Sequence, residues 1–219
     1  DYGIKAELTA TERVGMHRYT FPKSDESRII LDIGNKQGES AEVVDAAITM
    51  IDDTHFEGFV TTYPNYIRQY DPKGKISMYF FGEISKKPAS IGAFTAKTIA
   101  EPSATKGLRT AKGKGAGLYL EYKTNEKEVV ELKVGLSYTS SANAKINLET
   151  EAKSLTFDQA KSNAQYVWQK ELGKLQVQGK DINQKVKFYT GLYHALLGRG
   201  IASDVNGYFP KYGDSIGRL

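Results

Sequence analysis

With 219 residues, 30 Lys and Arg against 26 Asp and Glu, three His and no Cys, the chain can build one large domain or two modest ones around a sizeable core. The absence of cysteine excludes a disulfide framework, a thiolate metal centre and a cysteine nucleophile. The net charge of +4, with both signs interleaved, is too small to call for nucleic acid.

No apolar run approaches the roughly 18 residues of a membrane-spanning helix, and no signal-peptide pattern opens the chain. It starts at Asp1 instead of Met and is expected to be a piece of a longer protein. Fourteen Tyr and nine Phe against one Trp, with 21 Gly, suit the half-buried pleats and turns of an antiparallel β protein.

In chain order, Ile4, Ala6, Leu8 and Ala10 alternate with polar residues, the period of a half-buried strand. Arg13 to Phe21 forms a second strand, with His17, Tyr19 and Phe21 on one face, Val14, Met16 and Arg18 on the other, and Pro22 at its end. A short apolar run, Arg28 to Ile33, lies between turn segments 22–25 and 34–38. Further strands are expected over Val43–Ile51, Phe56–Thr62, Ile76–Ile84, Ile91–Thr95, Gly117–Tyr122 and Val129–Tyr138. Turns at Asp71-Pro72-Lys73-Gly74 and Thr124-Asn125 punctuate a total of about nine strands, which predicts a sandwich or barrel.

After residue 140 the period becomes helical. Thr156 and Gln159 have capping-box spacing, and Phe157, Ala160, Ala164, Val167, Trp168, Leu172 and Leu175 follow at helical intervals. Asp181 and Gln184 repeat that spacing before a second helix over Ile182–Leu197. Val186, Tyr189, Tyr193, Leu196 and Leu197 form one stripe, and Phe188 and Leu192 lie off it. A helix this apolar is expected to be buried among other helices, and away from them to dock on the sandwich or pair with a second copy.

Few motifs carry chemistry by themselves. The Lys106–Gly117 stretch fails as a phosphate loop, since Gly115 follows Lys114 where Ser or Thr is needed, and it reads as a mobile hairpin loop. His17, His55 and His194 make no local ligand pair, and His17 and His194 are expected to be hydrogen-bonded structural histidines. Asp52-Asp53 suits a turn better than paired acid and base. The aromatic set Tyr63, Tyr66, Tyr70, Tyr79, Phe80 and Phe81 suits core and cross-strand pairs better than sugar stacking. Ser203-Asp204-Val205-Asn206-Gly207 gathers short polar groups able to bind hydroxyls or a cation, although an ordinary Asx-type turn is its first reading.

Four ordered segments carry a family resemblance. Leu8-Thr9-Ala10-Thr11-Glu12-Arg13-Val14-Gly15-Met16-His17-Arg18-Tyr19-Thr20-Phe21-Pro22 resembles the N-terminal domain of glycoside hydrolase family 92, the calcium-dependent exo-acting α-mannosidases. Lys133–Tyr138 resembles the family's last sandwich strand, Phe188–Leu197 its first barrel-associated helix, and Ser203–Tyr208 the loop after that helix.

The resemblance implies a mainly β fold, an antiparallel β-sandwich over 1–140, followed by a helical hairpin over 141–219 that begins an (α/α)6 catalytic barrel. It implies a secreted, periplasmic or cell-surface bacterial enzyme that removes terminal α-linked mannose from glycans by inverting hydrolysis. The catalytic acid, base and calcium ligands are expected in the barrel outside this chain, which alone should be inactive. Asp204 matches a residue that reaches hydroxyls of the terminal mannose, with Asn206 and Tyr208 as further substrate-binding candidates. The expected partners are a mannose-containing glycan and the remaining barrel in cis, with possible self-association through the exposed helix. The alternative is a non-catalytic carbohydrate-binding or scaffold module of a polysaccharide-processing enzyme.

Overall fold

The computed structural model describes residues 2–36, 42–96, 102–198, 200–212 and 215–219. The strands are β1 (Lys5–Ala10), β2 (Val14–Phe21), β3 (Ser24–Asp32), β4 (Glu42–Met50) and β5 (His55–Tyr63), then the one-turn helix α1 (Asn65–Arg68), then β6 (Ile76–Ile84), β7 (Ser90–Ala96), β8 (Pro102–Lys106), β9 (Thr110–Lys112), β10 (Ala116–Thr124) and β11 (Glu128–Ser137). Helices α2 (Ser141–Glu151), α3 (Phe157–Leu172) and α4 (Ile182–Leu196) follow, and β12 (Tyr208–Pro210) and β13 (Ile216–Arg218) close the chain as a hairpin.

Two antiparallel sheets face each other, in orders β1-β2-β11-β6-β5-β4-β9 and β3-β10-β7-β8. Between them lies a core that includes Phe21, Ile48, Phe56, Phe80, Leu118, Leu120 and Val130. The mainly β sandwich followed by a helical hairpin is therefore the architecture observed. Strand alternation also divides the layers as expected. Phe80 faces the sandwich core, while its neighbour Phe81 joins Val14 and Met16 on the opposite face, under α2 and the start of α3.

Several elements differ from expectation. Strand β3 begins at Ser24, inside the expected turn, because Ser27 faces inward and bonds Thr124 Oγ1 at 2.7 Å. Of the turn expected over 34–38, residues 37 and 38 lie outside the described residues. The Lys106–Gly117 stretch contains an edge strand, β9, paired to β4, and turns through Gly113 at φ +83° and Gly115 at φ +74°. His17 Nδ1 lies 3.0 Å from the Tyr19 hydroxyl, as a structural histidine should, and burial pushes its imidazole below its ordinary value. His194 is exposed and meets the Tyr193 ring edge-on, and it has no hydrogen-bond partner among the described residues, contrary to expectation.

Helix α2 falls in the segment expected to be a helical linker from residue 141, although the sequence pattern does not mark it as an element of its own. Ser140 caps it by accepting from Asn143 N at 3.1 Å, and Ala144, Leu148 and Ala152, four residues apart, press on the seven-stranded sheet. Contact is close because β11 carries Gly135, where a Cβ would lie 2.2 Å from the Ala144 carbonyl oxygen. At its far end, Lys133 Nζ donates to the carbonyls of Ala152 (2.8 Å) and Leu155 (2.9 Å), satisfying groups that a helix end leaves open. Helix α3 starts with the expected Thr156–Gln159 capping box and buries Phe157 and Ala160, with Arg18 stacked 4.3 Å above the Phe157 ring.

Helix α4 departs from expectation. It is neither buried nor docked on the sandwich: it has no buried residue, and Val186 and Leu197 are half exposed. It meets α3 through Trp168 and Tyr193, 4.6 Å between ring centroids, and the link after α3 through the Tyr189 hydroxyl on Leu175 O at 3.1 Å.

Two expected results follow from this packing. Tyr122 is buried in the sandwich core, and its hydroxyl has no hydrogen-bond partner among the described residues. Tyr122→Phe removes that uncompensated polar atom and should raise the unfolding free energy by about 1 kcal/mol in denaturant titration; a loss of stability would instead reveal a partner for the hydroxyl.

Hydrogen bonds from Arg18, and then from Lys5, draw the half-buried Glu7 carboxyl down to about 2 from its ordinary 4.5. Because the folded value is the lower one, the linked stabilisation is present above about pH 4.5 and fades as pH falls toward 2. A carbon NMR titration of Glu7 should show the low midpoint, and Arg18→Gln should raise it part of the way back toward the usual carboxylate range, with Lys5 still in place.

Candidate functional site

The polar cluster that stands apart from packing lies where the chain, after α4, returns to the end of the sandwich. Asp204 is buried at 4% exposure. Its Oδ2 accepts from Thr139 Oγ1 at 2.5 Å and Ser137 Oγ at 3.0 Å, and its Oδ1 from Asn147 Nδ2 at 2.7 Å. Ser137 ends β11, Thr139 lies in the link to α2, and Asn147 is mid-helix, so the carboxylate joins three local elements. Such charge-assisted bonds are the stronger kind.

The loop runs along one face of α2 in register. Asn143, Asn147 and Glu151 are four residues apart and so share a helix face. Asn206 Nδ2 donates to Asn143 Oδ1 at 2.9 Å, and Val205 N to Asn147 Oδ1 at 3.0 Å. The Glu151 end reaches Ser203 through Arg13, whose Nη1 donates to Glu151 Oε1 (2.7 Å) and whose Nε donates to Ser203 O (2.6 Å). Asn143 also donates to Thr139 Oγ1 at 2.7 Å, extending the network back to Asp204.

The loop holds its own shape as well. Gly207 N donates to Asp204 O at 2.9 Å, and Gly207 takes φ +86°, a left-handed conformation that glycine adopts without strain. Asp204 N donates to Tyr208 O at 2.7 Å, so the turn leads straight into β12. The Tyr208 ring lies 5.1 Å from the Arg218 guanidinium. Asp204, Asn206 and Tyr208 are thus brought together in one loop, with the first two bound to α2 and Tyr208 opening β12.

Beside the loop is a cavity of about 270 Å³ lined by Thr11, Arg13, Met78, Leu136, Ser203 and Asp204 among others. It combines an apolar wall with two carboxylates, Glu12 and Asp204, and one guanidinium, Arg13, which suits a polyhydroxylated ligand with an apolar face. Sequence reasoning found Asp204, Asn206 and Tyr208 but not Ser137, Thr139, Asn143, Asn147, Glu151 or Arg13. The repeat of Asn143, Asn147 and Glu151 beside that of Ala144, Leu148 and Ala152 was the available signal: a helix with a polar stripe as well as an apolar one.

The other candidates do not assemble. Asp52 and Asp53 sit in the β4–β5 turn, Asp52 facing His55 Nδ1 at 2.9 Å and Asp53 paired with Lys87 at 2.5 Å. Among the described residues, no three His, Asp or Glu side chains gather as a metal cluster. Phe80 and Phe81 are buried and Tyr79 pairs with Phe59 at 6.0 Å, while Tyr66 and Tyr70 are exposed around α1.

Residues 1–137 match the glycosyl hydrolase family 92 N-terminal domain, and residues 143–218 match the family 92 catalytic domain. Among solved structures, the family GH92 α-mannosidase BT3965 from Bacteroides thetaiotaomicron is similar over 100% of this chain and 28% of that one, at 29% identity and TM-score 0.85. The inverting mannosidase BT2199 from the same organism shares the fold over 98% of this chain and 26% of its own, at 20% identity and TM-score 0.76. An uncharacterized secreted glycosidase of Arthroderma benhamiae is 26% identical over 217 residues, 89% of this chain and 26% of that protein. The chain therefore spans little more than a quarter of the length of these relatives.

Proposed function

The chain belongs to glycosyl hydrolase family 92, and from that membership we propose that it is the sandwich and first helices of an exo-acting α-mannosidase. Residues 1–140 form the sandwich domain, and residues 141–219 lead into an (α/α)6 catalytic domain. The likeness to the α-mannosidase BT3965 supports this reading. The name of the secreted relative supports a secreted, periplasmic or cell-surface location, and among the described residues no helix is long and apolar enough to cross a membrane.

The reaction is removal of a terminal α-linked mannose from a glycan with inversion. One carboxylic acid protonates the leaving oxygen, and a second carboxylate, on the far side of the sugar, activates water. Both belong to the rest of the catalytic domain. Calcium is proposed for the parent enzyme on family grounds, where a bound cation would polarise sugar oxygens; none of its ligands is assigned to this chain.

The contribution of these residues is to bind and orient. The observation that carries this part is a carboxylate, Asp204, fixed by three side-chain donors at the edge of a cavity of about 270 Å³. Its Oδ1 accepts one bond, from Asn147, and keeps a second acceptor direction for a sugar hydroxyl. Asn206 holds the loop to α2; neither Asn206 nor Tyr208 lines the cavity, and a sugar contact by Tyr208 is proposed on the family resemblance alone.

Mannose release from α-mannobiose tests the reading. The longer protein containing this chain should release mannose, and the 219-residue chain alone should release none. A longer protein that leaves every terminal α-mannoside intact overturns it, as does release by the chain alone with contaminating enzyme excluded.

A second reading, a carbohydrate-binding or scaffold module, would use the cavity beside Asp204 as a sugar site without hydrolysis. It requires saturable sugar binding by the chain alone, and a flat calorimetric titration with mannose and mannobiose would remove it. The exposed apolar side chains of α4 are proposed to associate with a second copy when the rest of the barrel is missing. Light scattering should then show concentration-dependent growth above the monomer mass; a strict monomer contradicts it.

A further inference from the structure

Arg13 connects three segments far apart in the chain. It lies in the turn between β1 and β2, which Thr11 N closes on Val14 O at 2.9 Å. Its Nη1 meets Glu151 at the end of α2, and its Nε meets the carbonyl of Ser203, the residue before Asp204. An acidic side chain in the last turn of a helix opposes the helix dipole, so Glu151 sits where local preference disfavours it. It is held there by Thr11 Oγ1 at 2.5 Å, Arg13 N at 2.9 Å and the guanidinium. The Arg13 and Glu151 side chains are 14% and 13% exposed, more enclosed than an ordinary surface ion pair.

One planar guanidinium with donors on two edges fixes the spacing between Glu151 and Ser203; a lysine, with a single nitrogen, could not span both in the same geometry. Arg13 also lines the cavity that Asp204 lines, and its Nη2 has no hydrogen-bond partner among the described residues. Glu12, on Nη1 at 3.1 Å, is largely exposed and adds little enclosure.

Resting on the reading that this loop faces the sugar, we propose that Arg13, braced by Glu151, is a positioning residue that sets loop 203–206 against the cavity and thereby sets affinity for the terminal mannose. The register along α2 supports this. Asn143 meets Asn206, Asn147 meets Asp204 and Val205, and Arg13 on Glu151 meets Ser203, so Arg13 closes the ladder at the end nearest the cavity.

Two measurements test it. In this chain, Arg13→Gln should speed hydrogen exchange at the amides of Asp204, Val205 and Gly207 about tenfold while exchange in β10 and β11 is unchanged. Unchanged exchange at those three amides, or an equal increase everywhere, overturns the proposal. In the longer protein, Arg13→Gln should raise KM for α-mannobiose about tenfold with kcat within about twofold, and Arg13→Lys should recover part of the loss. A fall in kcat at unchanged KM, or full activity of Arg13→Gln, contradicts it.

If the longer protein hydrolyses no mannoside, the mannosidase reading fails, and the exchange measurement still decides whether Arg13 holds the loop. Should Arg13→Gln fail to fold, Glu151→Gln, which keeps the shape but removes the charge, is expected to shift both readouts in the same direction, and no shift in either overturns the proposal.

Discussion

Asp204→Ala should destabilise the chain by about 3 kcal/mol in denaturant titration, because it removes one acceptor group and strands Ser137, Thr139 and Asn147 together. The loss exceeds that of an ordinary surface carboxylate, for which about 0.5 kcal/mol is typical. Asp204→Asn separates holding the loop from contacting the sugar. Its remaining oxygen can still accept, and the Ser137 and Thr139 hydroxyls can rotate to accept from its amide, so the stability cost should be about half as large. In the longer protein, an Asn variant that folds normally yet binds mannosides weakly supports a sugar contact. An Asn variant with native turnover restricts Asp204 to holding the loop.

Gly135→Val should have an effect of similar size by a different route. A Cβ at Gly135 would sit 2.2 Å from the Ala144 carbonyl oxygen and 2.9 Å from Leu148 Cβ, so even alanine forces α2 away from β11. Overpacking of this kind costs about 1–3 kcal/mol for a small insertion, and the branched side chain belongs at the upper end. Because α2 also carries Asn143, Asn147 and Glu151, lifting it should loosen loop 203–206, which the exchange measurement would show as faster amides at Asp204 and Val205. Destabilisation with those amides still protected would mean that the loop is held without α2.

The strands were readable because one side of each faces an apolar layer, so alternation survives in the sequence. The opposite faces of β2 and the neighbours Phe80 and Phe81 show it directly. Edge strands β8 and β9 were hidden by composition: Lys106–Gly117 carries four glycines, and β9 pairs with only three residues of β4. The bounds of helix α2, within the helical linker expected from residue 141, were hidden for another reason. The helix lies between an apolar sheet and a polar loop, so its stripes are Ala144, Leu148 and Ala152 against Asn143, Asn147 and Glu151, a contrast too weak to mark where it begins and ends.

Of the site, the turn chemistry was visible in Ser203-Asp204-Val205-Asn206-Gly207, and Gly207 indeed takes the positive φ. What Asp204 touches was not visible, since its donors lie 57 to 67 residues away. No spacing rule reports a partner at that range. Helix α4 shows the converse case. Its apolar circumference, from Val186 to Leu197, was plain in the sequence, yet in this chain no layer covers it.

If this sandwich serves an inverting α-mannosidase, the anomer of the first product is fixed by the stereochemistry of the reaction. Proton NMR of the longer protein acting on a terminal α-mannoside reads the anomer of the first mannose released, before mutarotation. β-Mannose appearing first is the predicted result; α-mannose appearing first, or no mannose at all, would contradict it.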